Sequence, residues 1–483
     1  MLIPMMSWFK QKKYLQSSLI RNSAWGIIAN VLQLAFVFVF FAIVARRYNT
    51  GDFARFLISN TVYQLVAAFS SMGLGQWFIR QYATEDDKLA FTGKFLKTQI
   101  GLGALFYLVN TVAAFLIYPD GQIRILCIVL GTNIVFDNLI NAIKSLNIAE
   151  NEQRKTASIL VIDGFLKLLV GCLLFIYPFT VVVLAVLMIV VRLFTLSLFI
   201  KLGSSSRINL KLLWFAEISL GDIKLLIIKN WQFIVIGSIS IIYWKIGNII
   251  ISKLLTLHHV ADYEIAFRIF SVLQIMPVVA SATIYPRFIT YFNNNDKQGL
   301  IRLYKNVFLI YSIFAVLSYA FIYTFSGFII PLAFGKGYPG AVLCLQQMFL
   351  TFLLLPTVLL QANLIVAIGL EKLDMWFNVA SLIINVAGCL IGLYFIKELM
   401  VVNYAVFISF IVFHILQDII LIRKGFMTVK HCLLFYLALL ITVCCCQYFT
   451  VHINPVAFFI AFFAVIALPG SLLLFFRKKE LSS

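Results

Sequence analysis

Apolar runs of about twenty residues recur from one end of this chain to the other, and no other feature restricts its fold so strongly. A run of that length, wound as a helix, crosses a hydrocarbon core of about 30 Å. Fourteen segments can be placed: 23–44, 56–78, 97–118, 124–147, 156–177, 180–201, 229–252, 263–286, 305–326, 341–368, 375–396, 402–422, 431–450 and 455–476. Pro119, Pro178, Gly335 with Gly337, and Pro455 break the chain between them. Of the 483 residues, 62% are hydrophobic and 12% charged, whereas soluble domains hold about 45–50% apolar and about 25% charged residues. No water-soluble fold of this size has an interior able to hide that share. The expected fold is an all-α polytopic membrane protein with about 14 transmembrane helices.

An even number of spans puts both termini on one side. With the termini in the cytoplasm, 27 of the 38 Lys and Arg residues fall on that side, 7 on the other and 4 inside the segments. Basic residues collect in cytoplasmic loops, so the alternation supports both the orientation and the count. A net charge of +19 would suggest nucleic acid for a soluble chain; here loop bias accounts for it, and no nucleic-acid partner is expected. The first 18 residues are basic and lack a small-residue cleavage site, so the first segment reads as an uncleaved anchor. All eight cysteines sit in apolar runs without metal-ligand spacing, which reads as packing rather than disulfide or zinc chemistry.

The longest polar break, 203–228, carries Arg207, Lys211, Trp214, Phe215, Glu217, Asp222 and Lys224. It reads as a cytoplasmic amphipathic linker. It divides the chain into a six-helix bundle at 1–202, a second at 229–426, and an additional helix pair at 427–483. A weak internal repeat agrees: Ile43-Val44-Ala45-Arg46 followed by Asp52-Phe53 matches Ile250-Ile251-Ser252-Lys253 followed by Asp262-Tyr263. Repeats of this kind build transporters that work by alternating access.

A cation in the middle of a bilayer costs about 2.5–3.5 kcal/mol on insertion scales, so it needs a partner or a polar cavity. Lys167, Arg192, Lys245 and Arg268 lie at such depth, as do the acids Asp137, Asp163, Glu264 and Asp418, with His414 one turn from Asp418. Asp163 with Lys167 and Glu264 with Arg268 have i,i+4 spacing with the acid first, the better order for a helical ion pair. Each pair either neutralises itself or contributes to a cationic binding cavity. Arg192 and Lys245 have no helical acid partner; they pair across helices with Asp137 or Asp418, or they meet an anionic ligand. The carboxylates and His414 are candidates for proton or sodium coupling, because a carboxylate in a low-dielectric cavity holds a proton more readily. No phosphate-binding loop, metal spacing or nucleophilic triad is present in the sequence, and no cofactor is expected. His258-His259 reads as a solvated turn.

Four stretches resemble a known family. They are Ser17-Ser18-Leu19-Ile20-Arg21-Asn22; Ser71-Met72-Gly73-Leu74-Gly75 running on to Arg80-Gln81-Tyr82-Ala83; Asp262-Tyr263-Glu264-Ile265-Ala266-Phe267-Arg268-Ile269 with Pro277 and Pro286-Arg287; and Pro331-Leu332-Ala333-Phe334-Gly335-Lys336-Gly337-Tyr338. In this order they are similar to the O-antigen and polysaccharide-export flippases of the multidrug/oligosaccharidyl-lipid/polysaccharide (MOP) superfamily, over about residues 18–425. The chain departs from that pattern at Phe53-Ala54, where Tyr-Gly is frequent, and near Gly247, where an acid is frequent and Lys245 stands close by.

The resemblance implies two six-helix bundles in a bacterial inner membrane. It also implies transfer of an undecaprenyl-diphosphate-linked oligosaccharide from the cytoplasmic to the periplasmic leaflet. The substrate-binding candidates are then Arg268, Lys245, Arg192, Lys167 and Arg80. The candidate partners are a polysaccharide polymerase and a chain-length regulator. A multidrug or cation antiporter of the same superfamily is the alternative, and would be expected to have an acid-dominated cavity. A membrane polymerase would be expected to have long external loops, which this chain lacks, so a transporter rather than an enzyme is expected.

Overall fold

The computed structural model describes Gly26 and residues 28–202 and 220–466, and each of the fourteen segments is helical over its described part, with 56–78, 124–147 and 341–368 each divided between two helices. The helices of the first half are α1 (Ile28–Arg47), α2 (Thr50–Ser70), α3 (Leu74–Tyr82), α4 (Lys88–Ile117), α5 (Gly121–Gly131), α6 (Asn133–Ala149), α7 (Gln153–Ile176) and α8 (Val181–Leu202). Then follow α9 (Leu220–Leu254), α10 (Leu257–Asn293), α11 (Lys297–Phe334), α12 (Gly340–Phe352), α13 (Leu355–Ala367), α14 (Glu371–Phe395), α15 (Leu399–Arg423), α16 (Val429–His452) and α17 (Pro455–Ile466). Among the described residues, eleven spans are long and apolar enough to cross a membrane, with α5–α6 and α12–α13 each counted once. The chain is an all-α multi-pass membrane protein. It forms two compact units, Met1–Lys245 and Ile246–Ser483, whose boundary falls within α9. Of the expected linker, residues 203–219 lie outside the described residues, and 220–228 already belong to α9.

In the first unit the second segment is not continuous. Asn49 caps α2: its side-chain oxygen accepts from the Asp52 amide at 2.8 Å and its side-chain amide donates to the Asp52 carboxylate at 2.8 Å, which starts the helix earlier than its apolar run does. Met72 (φ 48°) and Gly73 (φ 59°) are both left-handed, so the helix ends at Ser70 and restarts as α3. On α3, Phe78 stacks on Phe95 at 4.2 Å and Phe91 at 5.2 Å of α4, within a core that includes Leu139, Ile143 and Phe199.

Lipid tails are as apolar as leucine, so helices in a membrane join through close packing. Gly164 and Gly171 on α7 meet Gln33 and Phe40 on α1, a spacing of two turns on each helix. Gly103 on α4 meets the backbone of α6 more closely still: a Cβ there would lie 2.9 Å from the Val135 Cα.

The internal repeat has a counterpart in space, since the fourth span of each half is interrupted. Between α5 and α6 the chain tightens at Thr132, whose amide bonds Val129 at 3.3 Å, and buried Asn110 donates to the Cys127 carbonyl at 2.9 Å. Between α12 and α13 the interruption falls at Leu353-Leu354. Pro356 has no amide hydrogen, so the Phe352 carbonyl loses its usual helical donor. The starts of these spans also correspond. Asp120 caps α5 through the amides of Gln122 (2.8 Å) and Ile123 (3.3 Å) and accepts from Arg55 Nε at 2.8 Å. Asp262 lies directly against Gly340, at the start of α12. Burial pushes the Asp120 carboxyl up, but Arg55 and the two amides outweigh it and hold it below the ordinary carboxylate range.

Two outcomes follow from this packing. Gly103→Ala should destabilise the first unit by about 1–3 kcal/mol through overpacking, read as a lower midpoint in thermal size-exclusion profiles. Asp120→Ala should cost about 1 kcal/mol at neutral pH. Because the folded-state value is lowered, that contribution is complete above the ordinary carboxylate range and fades as pH falls through the lowered value. Wild type and variant should therefore converge in acid, which thermal melts across pH would show.

Candidate functional site

Helical spacing alone puts Asp163 and Lys167 on one face of α7, and Lys167 Nζ lies 2.6 Å from Asp163 Oδ2. Packing adds the rest. From α8, Arg192 spans two carboxylates: its guanidinium lies 3.4 Å from Asp163 Oδ1 and pairs directly with Asp137 of α6. Thr195, one turn from Arg192, donates to Asp163 Oδ1 at 2.9 Å, and Tyr63 of α2 donates to Asp137 Oδ2 at 2.6 Å. Four helices thus meet on one buried charge network, in which Asp163 has no exposed surface and Lys167 and Arg192 are less than one-fifth exposed. Of the alternatives for Arg192, the cross-helix pair with Asp137 is the one formed.

Sequence reading counted Lys144 with the loop charges. It sits on α6 within electrostatic range of Arg192, Asp137, Asp163 and Lys167, with its ammonium 3.5 Å from Asn141 Oδ1. Its place at the end of an apolar run concealed it; its position about three turns into a helix that also carries Asp137 two turns earlier was the available signal.

A second group lies between α9 and α10. Asn248 donates to Glu264 Oε1 at 2.5 Å, and Arg268 lies 3.4 Å from Glu264 Oε2. Lys245 is buried one turn before Asn248 on α9. Arg80 is exposed in the last turn of α3, outside the first network.

The third group is built around α15. His414 Nδ1 is 3.0 Å from Asp418 Oδ2, and Tyr436 of α16 donates to the same oxygen at 2.9 Å. Gln361 of α13 donates to Asp418 Oδ1 at 2.7 Å, and Thr357 Oγ1 is 3.1 Å from His414 Nε2. Gln417, beside Asp418, reaches Asp374 of α14 at 3.4 Å. His414, Thr357 and Gln361 are fully buried.

Beside this cluster runs an apolar trough of about 770 Å³, lined by α11, α16 and α17 through residues such as Leu309, Val316, Phe435, Phe449, Phe458 and Phe462. Leu309, Ser312, Phe435 and Ala438 also line a smaller cavity of about 310 Å³ that reaches Lys305 and His431. Sequence reading missed the trough, because lipid-facing and trough-facing residues are equally apolar.

A family model described as "Polysaccharide biosynthesis protein" matches residues 43–343, more than half of the chain. The chain belongs to this polysaccharide biosynthesis family. Three of the four motif stretches fall inside the matched range, in accord with the resemblance to polysaccharide-synthesis flippases. No curated protein matches the sequence. Among solved structures, an inward-facing multidrug resistance MATE family transporter of the MOP superfamily is similar with a TM-score of 0.68 and 14% identity, over 83% of this chain and 96% of its own. The lipid II flippase MurJ in an inward closed conformation gives a TM-score of 0.68 and 14% identity, over 94% and 99%. A MOP superfamily transporter from Pyrococcus furiosus gives 0.55 and 15%, over 82% and 93%. At these identities the likeness is one of fold, and it places this member of the polysaccharide biosynthesis family in the MOP fold.

Removing one partner of a buried ion pair strands the other. Arg192→Ala should cost about 3–5 kcal/mol, and Arg192→Lys less, because an ammonium keeps the charge although it cannot span both carboxylates. Arg192→Gln combined with Asp137→Asn should recover part of the loss, as measured by the thermal midpoint of the purified protein.

Proposed function

We propose that this protein is a flippase that moves an undecaprenyl-diphosphate-linked oligosaccharide, of the O-antigen type, from the cytoplasmic to the periplasmic leaflet by alternating access. On this reading it sits in a bacterial inner membrane with both termini in the cytoplasm. A polysaccharide polymerase and a chain-length regulator would act next on the same material. The observation that carries the reading is the trough on α11, α16 and α17. A carrier of small drugs has no need of a long hydrocarbon slot, whereas a lipid-linked sugar must keep its tail in an apolar setting while its headgroup crosses.

Coverage supports it. The MATE transporter falls short of this chain by more than the lipid II flippase does, and the difference is about the share occupied by α16, α17 and the residues after them. The buried cations Lys167 and Arg192 of the first unit and Arg268 of the second suit an anionic diphosphate, for which charged hydrogen bonds replace water.

The test is a deletion strain. Lipid-linked repeat units should accumulate on the cytoplasmic leaflet, and plasmid-borne protein should clear them. Arg268→Ala should insert normally yet lower surface polysaccharide about tenfold, the loss of one charged contact. Ala461→Trp, which fills the trough, should do the same. Accumulation on the periplasmic side would indicate a polymerase instead. Unchanged polysaccharide with loss of drug efflux would indicate an antiporter.

A further inference from the structure

The cluster around His414 holds a question of proton count. Thr357 has one hydroxyl hydrogen, and the hydroxyl lies 2.8 Å from the Leu354 carbonyl, an acceptor only. Its contact with His414 Nε2 is longer, at 3.1 Å, so the hydroxyl meets the ring as an acceptor and Nε2 carries the ring's hydrogen. At the other nitrogen, Nδ1 is 3.0 Å from Asp418 Oδ2 and 2.8 Å from the Tyr436 hydroxyl, which is itself 2.9 Å from Oδ2. A neutral ring with its hydrogen on Nε2 would turn the Nδ1 lone pair toward a carboxylate lone pair. The single hydrogen of Tyr436 can bridge only one of the two. All three contacts are satisfied together when one more proton lies between Nδ1 and Oδ2.

We infer that His414 and Asp418 hold one exchangeable proton between them, and that this proton clamps α16 onto α15 and so sets the shape of the apolar trough. The mechanical link is short. Tyr436 of α16 bonds both members of the pair, and its neighbour Phe435 stacks on the His414 ring at 5.1 Å with planes 12° apart. Phe435 also lines the trough and the smaller cavity beside it. Loss of the proton forces Nδ1 and Oδ2 apart, Tyr436 keeps only one partner, and Phe435 loses its fixed platform.

The titratable and polar groups around the pair come from α11, α13, α14 and α16. α11 presents Tyr304, which accepts from Gln361 at 3.3 Å, and Lys305 lines the cavity beyond it. α13 presents the uncharged Thr357 and Gln361, and α14 presents Asp374, held through Gln417. α16 adds Cys432 and Tyr436, with His431 lining the smaller cavity. Among the described residues the ion-pair partner of Asp418 is His414. Unlike a guanidinium, an imidazole has both a neutral and a charged form.

By linkage, a chain that binds the trough in its clamped shape takes up the proton, and its affinity rises as pH falls. This inference rests on the trough reading of the proposed function, and the two can fail separately. The probe is a fluorescent polyprenyl phosphate titrated into the purified full-length protein in nanodiscs. Wild type should bind about tenfold more tightly near pH 6 than near pH 8. Asp418→Asn, whose amide supplies a fixed hydrogen toward Nδ1, should bind tightly at both. Nitrogen NMR of labelled histidine in wild type, with His414→Gln to assign the signal, should show His414 bearing Nε2–H and changing protonation with pH. A pH-independent His414 signal bearing only Nδ1–H overturns the inference, as does Asp418→Asn binding with the wild-type pH dependence. Ala461→Trp should lose the probe at every pH. If it binds as wild type does, the trough reading falls and the clamp's link to it falls too, while the histidine signal still reports the proton by itself.

Discussion

Hydrocarbon offers no partner to a charge or to a backbone amide, and the interior of this protein is arranged around that constraint. Where the fourth span of the first half breaks, a buried asparagine side chain, Asn110, supplies a donor to the Cys127 carbonyl beside the break. Where a charge is buried, other helices converge on it: Arg192 from α8 reaches α6 and α7 at once, and Tyr63 closes the network from α2. Helix packing in the first unit is therefore specified twice, by glycine contacts such as Gly164 on Gln33 and by polar partners that must be met. Apolar faces alone would let one helix slide or rotate against another at little cost.

The same constraint decided what could be read without coordinates. Apolar runs marked the spans because a helix must be long enough to cross. The pairs Asp163–Lys167, Glu264–Arg268 and His414–Asp418 were legible because helical spacing puts i and i+4 on one face. Their cross-helix partners were not. Tyr63 is 74 residues from Asp137, Thr195 is 32 from Asp163, and Gln361 is 57 from Asp418. Such contacts depend on which helices adjoin and how each is rotated. The exception is Arg192 with Asp137, where one of a few cations must meet one of a few acids. The helix start at Thr50 was missed because a polar cap, not apolar periodicity, sets it, and Met72-Gly73 divided what the apolar run presented as one segment.

The two units repeat one plan and differ in what fills it. In each, the fourth span is interrupted, and an aspartate, Asp120 or Asp262, meets its first turn. In each, the sixth span sends polar groups to the fourth. In the first unit α8 sends Arg192 to Asp137, and in the second α15 sends His414 and Asp418 to Thr357 and Gln361. The fifth span joins both sites, through Asp163 in one and Asp374 in the other.

The contents of that shared slot have different chemistry. A guanidinium stays charged at any pH a cell meets, so the Arg192 site keeps its charge and can answer only to another ion. If His414 and Asp418 share one exchangeable proton, as we infer, that site has two charge states where the Arg192 site has one. On that inference a duplicated bundle provides a permanent electrostatic site in one half and a switchable one in the other, on the same plan of spans. The switchable half is also the one that carries the trough, where Phe435 belongs to the histidine stack and to the apolar wall at once. If the cluster does hold an exchangeable proton, a side chain shared in this way links its proton content to the occupancy of the trough, since neither can change the position of Phe435 without altering the energy of the other.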